Sequence, residues 1–341
     1  MRGKGMTYDT GLVRNGRISR PDFDPAVVER ELAIIRDDLH CNAVQIIGGD
    51  PDRLELAGRC AAELGLEVWF SPYPLELPRD EISTLFTDCA QRAEGLRRTG
   101  AEVVFVAGVE LSIMNRGFVP GDSVEQRLDL LLRDPDRHAE QFAEVSARLD
   151  DFFGSALPAI REHFHGKVTY ACIPFERIDW TPFDFLAIEL IRSAEVADQF
   201  RAGVHSLVAQ GKPVAVTGFG TATWRGAGAV APRSMEIVEY DAHGEPLRLT
   251  GEYERDEAGQ AAYLRELLEI FDSEGVDSTF VFLFALYNYP HRTTGDPRDD
   301  LDLAGPGIVK VLPDGRGDTY PDMPWEPKES FTAVAEHYRR A

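Results

Sequence analysis

A chain of 341 residues, 43% hydrophobic and 28% charged, has enough apolar surface for a large core, which excludes disorder, a collagen-like repeat and a small disulfide-stapled scaffold. Its 36 basic residues against 58 acidic ones leave a net charge of −22, a field that repels phosphate backbones and anionic lipid, so neither nucleic acid nor a membrane is an expected partner. Cys41, Cys60, Cys89 and Cys172 lie far apart without zinc-type spacing, residues 1–16 lack the order of a secretory signal, and no apolar run approaches the roughly 18 residues of a membrane span. These features describe a soluble, cytoplasmic protein.

Short β-branched or aromatic runs alternate with segments of helical period, which argues for parallel strands joined by crossover helices. Strands are expected at 6–10, 43–47, 67–71, 102–107, 167–172, 183–190, 213–217 and 279–286. Between the first two, Val28, Leu32, Ile35 and Leu39 recur on one helical face. In the next unit Asp50 can cap, Pro51 fits the first helical position, Leu54, Ala57, Ala61 and Leu64 make the stripe, and Gly65 ends it. A third stripe runs from Ile82 through Phe86, Cys89 and Ala93 to Leu96 and stops at Gly100. Later stripes are Val196, Phe200, Val204 and Leu207, ended by Gly211, and Tyr263, Leu267 and Phe271, ended by Gly275.

Eight such units fit a single-domain (β/α)8 barrel over residues 1–341, and the first turn lacks the Gly-x-Gly-x-x-Gly of a doubly wound dinucleotide fold. Two departures stand out. Only a short "DWTP" joins the fifth and sixth strands, and residues 224–253 form a long polar insertion after the seventh.

Barrel chemistry sits at the C-terminal ends of strands, so polar residues that interrupt apolar runs there are candidates. Glu110 closes "VVFVAGVE", Glu176 follows "VTYACIPF" and Glu189 interrupts "FLAIELI"; these three are the candidate catalytic residues. Asp9, Tyr73, Thr217, Trp224, Tyr287 and Asn288 are the candidate substrate-binding residues. Acids and aromatic rings together suit a sugar-like ligand with hydroxyls and apolar faces. Carboxylates about 5 Å apart perform retaining glycoside hydrolysis, whereas roughly 6.5 to 9.5 Å leaves room for an inverting enzyme's water. The purely structural alternative makes each acid a cap or the partner of a loop arginine such as Arg116, Arg177 or Arg192.

The run "KVTYACIPFERIDWTPFDFLAIELIRS" resembles the fifth and sixth strands of clan-A (β/α)8 glycoside hydrolases, especially the mannanase-like branch. "VAGVELS" resembles that branch's fourth-strand motif, which implies a general acid/base role for Glu110. "PVAVTGFGTATW" resembles its seventh-strand motif, but Gly218 stands where that motif carries the glutamate nucleophile. Nearly the whole chain, including "RDDLHCNAVQIIGGDP", also resembles bacterial proteins labelled abortive infection protein, which implies a link to phage defence. Glycine supplies neither a nucleophile nor a base, so ordinary retention is not expected. The leading expectation is a glycoside-hydrolase-like barrel repurposed for acid/base chemistry on a polyhydroxylated or cyclic small molecule, with Glu110 as proton donor. The alternatives are a non-catalytic carbohydrate-binding or phage-defence protein, and a lyase or cyclase of a biosynthetic pathway.

Other signals have plainer readings. Asp150 and Asp151 belong on the solvated face of a long helix. His163 and His165 cannot share a helical face as zinc ligands do. The loop with Asp296, Asp299, Asp300 and Asp302 lacks the EF-hand spacing and reads as a polar lid. No cofactor or metal is expected.

Overall fold

The computed structural model of the chain describes residues 1–133, 137–241, 244–313 and 315–340. Eight parallel strands are present: β1 (Gly3–Asp9), β2 (Ala43–Gly48), β3 (Glu67–Pro72), β4 (Val103–Val109), β5 (Lys167–Cys172), β6 (Leu186–Glu189), β7 (Val214–Phe219) and β8 (Ser278–Val281). They close into a barrel in chain order, with β8 beside β1. The expected (β/α)8 architecture is the observed one.

The helices follow from the stripes that predict them. After β1 comes α1 (Pro25–Asp37), then α2 (Pro51–Glu63) after β2 and α3 (Arg79–Arg98) after β3. The Asp50 carboxylate accepts the amides of Asp52 and Arg53 at 2.9 and 3.3 Å, satisfying two of the orphan donors at the start of α2. Gly65, at φ +78°, ends that helix in the left-handed region. Between β4 and β5 lie α4 (Leu111–Met114), α5 (Val124–Arg133) and α6 (His138–His163), and later come α7 (Ala197–Val208), α8 (Glu257–Ser273) and α9 (Glu329–Arg340). The β5–β6 connection is short and carries no helix, as "DWTP" foretells. In its place a groove of about 420 Å³ opens between Phe153, Leu157, Pro158 and Arg161 of α6 and Pro182 and Phe183.

Two compact units make up the chain: one comprises Met1–Asp9, Ala26–Val44 and Leu190–Ala341, the other Thr10–Pro25 and Gln45–Glu189. The second is built on an aromatic core in which Phe105 stacks on Phe70, Phe86 meets both Phe105 and Phe152 edge-on, and Phe153 packs on Tyr170 with ring centroids 4.9 Å apart. Trp69 is fully buried there. The first unit is held by Phe219 against Phe271 and Phe284 against Trp325. It also buries Glu31 of α1, whose carboxylate accepts Tyr8 Oη at 2.6 Å, Trp325 Nε1 at 2.8 Å and the Tyr287 hydroxyl.

Three sequence expectations need correction. The eighth strand ends at Val281, well short of residue 286; beyond it the backbone is held by Phe282 N to Phe219 O, Phe284 N to Thr7 O and Ile308 N to Leu283 O. The sixth strand is only Leu186–Glu189, since residues 183–185 form its approach. Val196, placed on an apolar stripe, is 45% exposed because α7 starts one residue later. The insertion at 224–253 has structure of its own: a 3-10 segment at Ala227–Arg233 and an antiparallel hairpin of Val238–Tyr240 with Pro246–Leu249, where Val238 and Leu249 pack against Tyr289, Leu301 and Leu303.

Candidate active site

Two strands depart from regular pairing near their C-terminal ends. In β4, Ala107 and Gly108 occupy the space opposite one residue of β5, because the register steps from Val106–Thr169 to Val109–Ala171. In β7, Thr217 and Gly218 do the same against β8, between Val216–Thr279 and Val281–Phe219. Such bulges add a residue and turn the strand, and they recur beside active sites. Gly108 has φ +88°, and a Cβ there would meet the Leu111 side chain at 2.7 Å, so only glycine fits.

The bulge in β4 delivers Glu110 in the left-handed region at φ 46°, ψ 41°. For a residue with a side chain this costs on the order of 1 kcal/mol or more, and it persists only where the surroundings hold it. They do. Glu110 N donates to Ala171 O at 3.0 Å, and Glu110 O accepts the amides of Ile113 and Met114 at the start of α4. Leu111 N donates to the Tyr170 hydroxyl at 2.9 Å and Ser112 N to Glu176 Oε1 at 3.1 Å. Tyr170 Oη and Ile173 N both donate to Glu176 Oε2, at 2.7 and 3.0 Å.

Glu110, Glu176, Glu189 and Tyr73 lie near one another within one unit. The Glu110 carboxyl hydrogen-bonds to that of Glu189. Burial pushes Glu110 well above the usual carboxylate range, and the charges of Glu189 and Glu176 push it further. Burial likewise raises Glu189, against the hydrogen bond from Glu110, which favours its ionised form. Two carboxyls this close oppose each other's ionisation, so the pair keeps a proton to higher pH than an isolated carboxyl would. Glu176 is also raised by burial, opposed by its hydrogen-bond donors. The Tyr73 phenol, almost fully buried, is raised by burial and then by the three glutamates, and stays protonated. Burial raises the Cys172 thiol well above its usual range, with the neighbouring carboxylates adding to the effect, which makes it a poor nucleophile.

The other candidates lie in the other unit. Asp9 ends β1 and is buried. Thr217 lies in the β7 bulge with its hydroxyl unpartnered among the described residues, and the Asn288 side-chain oxygen is likewise unpartnered. Tyr287 is held by Glu31, and Trp224 is anchored by Nε1 to Ser234 O at 2.8 Å with its ring 5.6 Å from that of Tyr253. Gly218 is a strand residue whose carbonyl accepts Leu190 N at 3.0 Å.

The loop arginines do not neutralise the three glutamates through any described ion pair: Arg192 pairs with Glu266, and Arg116 Nε donates to Glu76 O. Sequence reading passed over Glu76 and Tyr170. Glu76, buried at φ +58°, binds Arg127 Nη2 at 2.6 Å, Arg14 Nη2 at 3.2 Å and Val124 N at 2.9 Å, and its own amide donates to Met114 O. It thus fixes the far end of α4. Its only sequence signal is an acid flanked by leucines in "PLELP". Tyr170 could have been found as a hydroxyl in an apolar strand six residues before a glutamate.

His291, Asp300 and Asp302 place one ligand atom each within 4.8 Å of one another. Arg255 already binds both carboxylates, at 2.9 and 2.7 Å, and the buried Lys328 ammonium is 2.9 Å from Asp302. With two cations in place, the cluster is a salt-bridge network that does not fit a metal ion.

No family model matches the chain, and no curated protein sequence matches it. Among solved structures, a GH113 β-1,4-mannanase superimposes over 100% of both chains with a TM-score of 0.58 at 16% identity. A GH113 β-mannanase from Alicyclobacillus acidocaldarius covers 99% of this chain and 97% of its own, with a TM-score of 0.58 at 14% identity. A third, a glycoside hydrolase, covers 99% of both chains with a TM-score of 0.54 at 10% identity. The likeness is one of fold.

Proposed function

We propose that this chain is a glycoside-hydrolase-like barrel enzyme that performs acid/base chemistry on a polyhydroxylated or cyclic small molecule, with Glu110 as proton donor and Glu189 as the base beside it. The observation that carries this reading is the close approach of the half-buried Glu110 carboxyl to that of Glu189, which favours retention of the Glu110 proton. One proton on a pair of acids gives a donor and an acceptor at the same spot and near neutral pH, as acid/base catalysis requires. Two acids that hold a proton between them are suited to proton exchange rather than to displacement at an anomeric carbon. Gly218 removes the nucleophile that the seventh-strand motif would supply. A dyad that gives and takes protons on one side of a ligand fits addition, elimination or isomerisation better than displacement at an anomeric carbon. The absent nucleophile also favours a second reading, a silent carbohydrate-binding protein.

The test compares the parent and Glu110→Gln on a panel of aryl glycosides, oligosaccharides and free sugars or cyclic polyols, followed by mass spectrometry and by calorimetry. Turnover by the parent that falls at least about a hundredfold in the variant is expected, the usual worth of a positioned acid. Turnover unchanged by the substitution refutes the role of Glu110. Calorimetric binding without any turnover establishes the silent binder instead.

A further inference from the structure

We propose that Glu176 is a positioning residue: with Tyr170 it holds the backbone on either side of the left-handed Glu110 and so aims the Glu110 carboxyl at Glu189. The inference rests on the reading of Glu110 as proton donor. Its geometry is independent of any substrate.

Glu176 offers little that a ligand could use. Both its oxygens accept hydrogen bonds from this chain, one from Ser112 N and the other from Tyr170 Oη and Ile173 N. A catalytic carboxylate needs an oxygen facing the reacting atoms, whereas this one is occupied by backbone and phenol donors. Those donors are informative. Leu111 and Ser112 follow Glu110 directly and open a helix of four residues, too short to organise its own first turn. Their two amides are satisfied by β5 and the turn after it: Leu111 N by the Tyr170 hydroxyl, which passes its own proton toward Glu176, and Ser112 N by Glu176 directly. On the other side, Glu110 N bonds Ala171 O. The strained residue is therefore bracketed by three bonds to one neighbouring segment, one of which ends on Glu176 and another on Tyr170, whose hydroxyl itself donates to Glu176. Its charge acts as well. Glu176 lies near both acids of the pair and favours retention of their proton. The titratable groups that face it are Tyr170, Cys172, Glu110 and Glu189, with Tyr73 beside the pair.

The experiment reads Glu110 itself. In protein labelled with 13C at the glutamate carboxyls, the Glu110 resonance is assigned by its loss in Glu110→Gln and followed over pH 4 to 9 in the parent, Glu176→Gln, Glu176→Asp and Tyr170→Phe. Glu176→Gln removes the charge while keeping the shape. Tyr170→Phe keeps every carboxylate and removes the link to Leu111. The Glu110 midpoint is expected to fall by about one pH unit or more in Glu176→Gln, as for loss of a neighbouring like charge. Tyr170→Phe should displace the resonance at fixed pH, and Glu176→Asp should restore part of the parent midpoint. A resonance unmoved by Glu176→Gln and Tyr170→Phe, in variants whose circular dichroism matches the parent, overturns the positioning role. A parent midpoint near 4.5, with the resonance still displaced by the variants, overturns the proton-donor reading and leaves the positioning role standing.

Discussion

The shared proton makes the fold's stability depend on pH in a direction opposite to that of most carboxylates. Glu189, buried, is pushed up to about 7 from an ordinary 4.5, and Glu110 is also raised well above its ordinary value. A carboxyl raised in the folded state contributes its stability below the unfolded value and loses it as pH climbs through the folded one. For Glu189 alone the difference corresponds to about 3 kcal/mol, lost between about pH 4.5 and 7, and Glu110, raised in the same direction, adds to the loss. This is a large share of a typical 5 to 15 kcal/mol of folding stability. In the double variant Glu110→Gln/Glu189→Gln neither side chain titrates, and one amide N–H can still donate to the other amide oxygen. The titrations of the remaining acids are common to both proteins and cancel in the comparison. Urea unfolding of parent and double variant at pH 5, 6, 7 and 8 should therefore show the variant's stability rising relative to the parent by about 3 kcal/mol or more from pH 5 to pH 8. A difference that stays constant across this range would mean that the pair holds no extra proton, and the acid/base reading would lose its main support.

Two further outcomes test the frame around the site. Glu31→Ala strands two phenols and an indole N–H in the first unit, and at about 1 to 3 kcal/mol for each unsatisfied buried donor the loss in urea unfolding should exceed about 3 kcal/mol, against about 1 kcal/mol for Tyr287→Phe; a loss below 1 kcal/mol in Glu31→Ala would show that the cluster relaxes freely. Arg127→Met leaves the buried Glu76, among the described residues, with only the half-buried Arg14 as counter-ion and should cost about 3 to 5 kcal/mol by the same measurement. A variant as stable as the parent would remove Glu76 as the anchor of α4.

The barrel was readable in the sequence because its strands are buried on both faces and so appear as unbroken apolar runs, with helices punctuated by residues such as Asp50 and Gly65. The acids were readable for the converse reason: a carboxylate at the end of such a run is out of place unless something holds it. What the spacing could not show was how they pair. Glu110 and Glu189 are 79 positions apart, and their bond depends on an extra residue in β4 and a left-handed backbone angle, neither of which leaves a mark beyond Gly108. Glu31 did leave one, as an acid between Val28 and Leu32 on a stripe otherwise apolar, and the structure answers it with Tyr8, Tyr287 and Trp325.

The two bulges make the same point about chemistry. Both β4 and β7 carry one, as if each were shaped to present a side chain, yet only β4 ends in a carboxylate, while β7 presents Thr217 and Gly218. A bulge that gives up ladder pairing is kept where its geometry has a use. The buried Thr217 hydroxyl, unpartnered among the described residues, argues for use: a polar group sealed in a strand without a partner costs about 1 to 3 kcal/mol, and a ligand hydroxyl would supply the missing bond. On that reasoning we propose that β7 takes a binding role through Thr217.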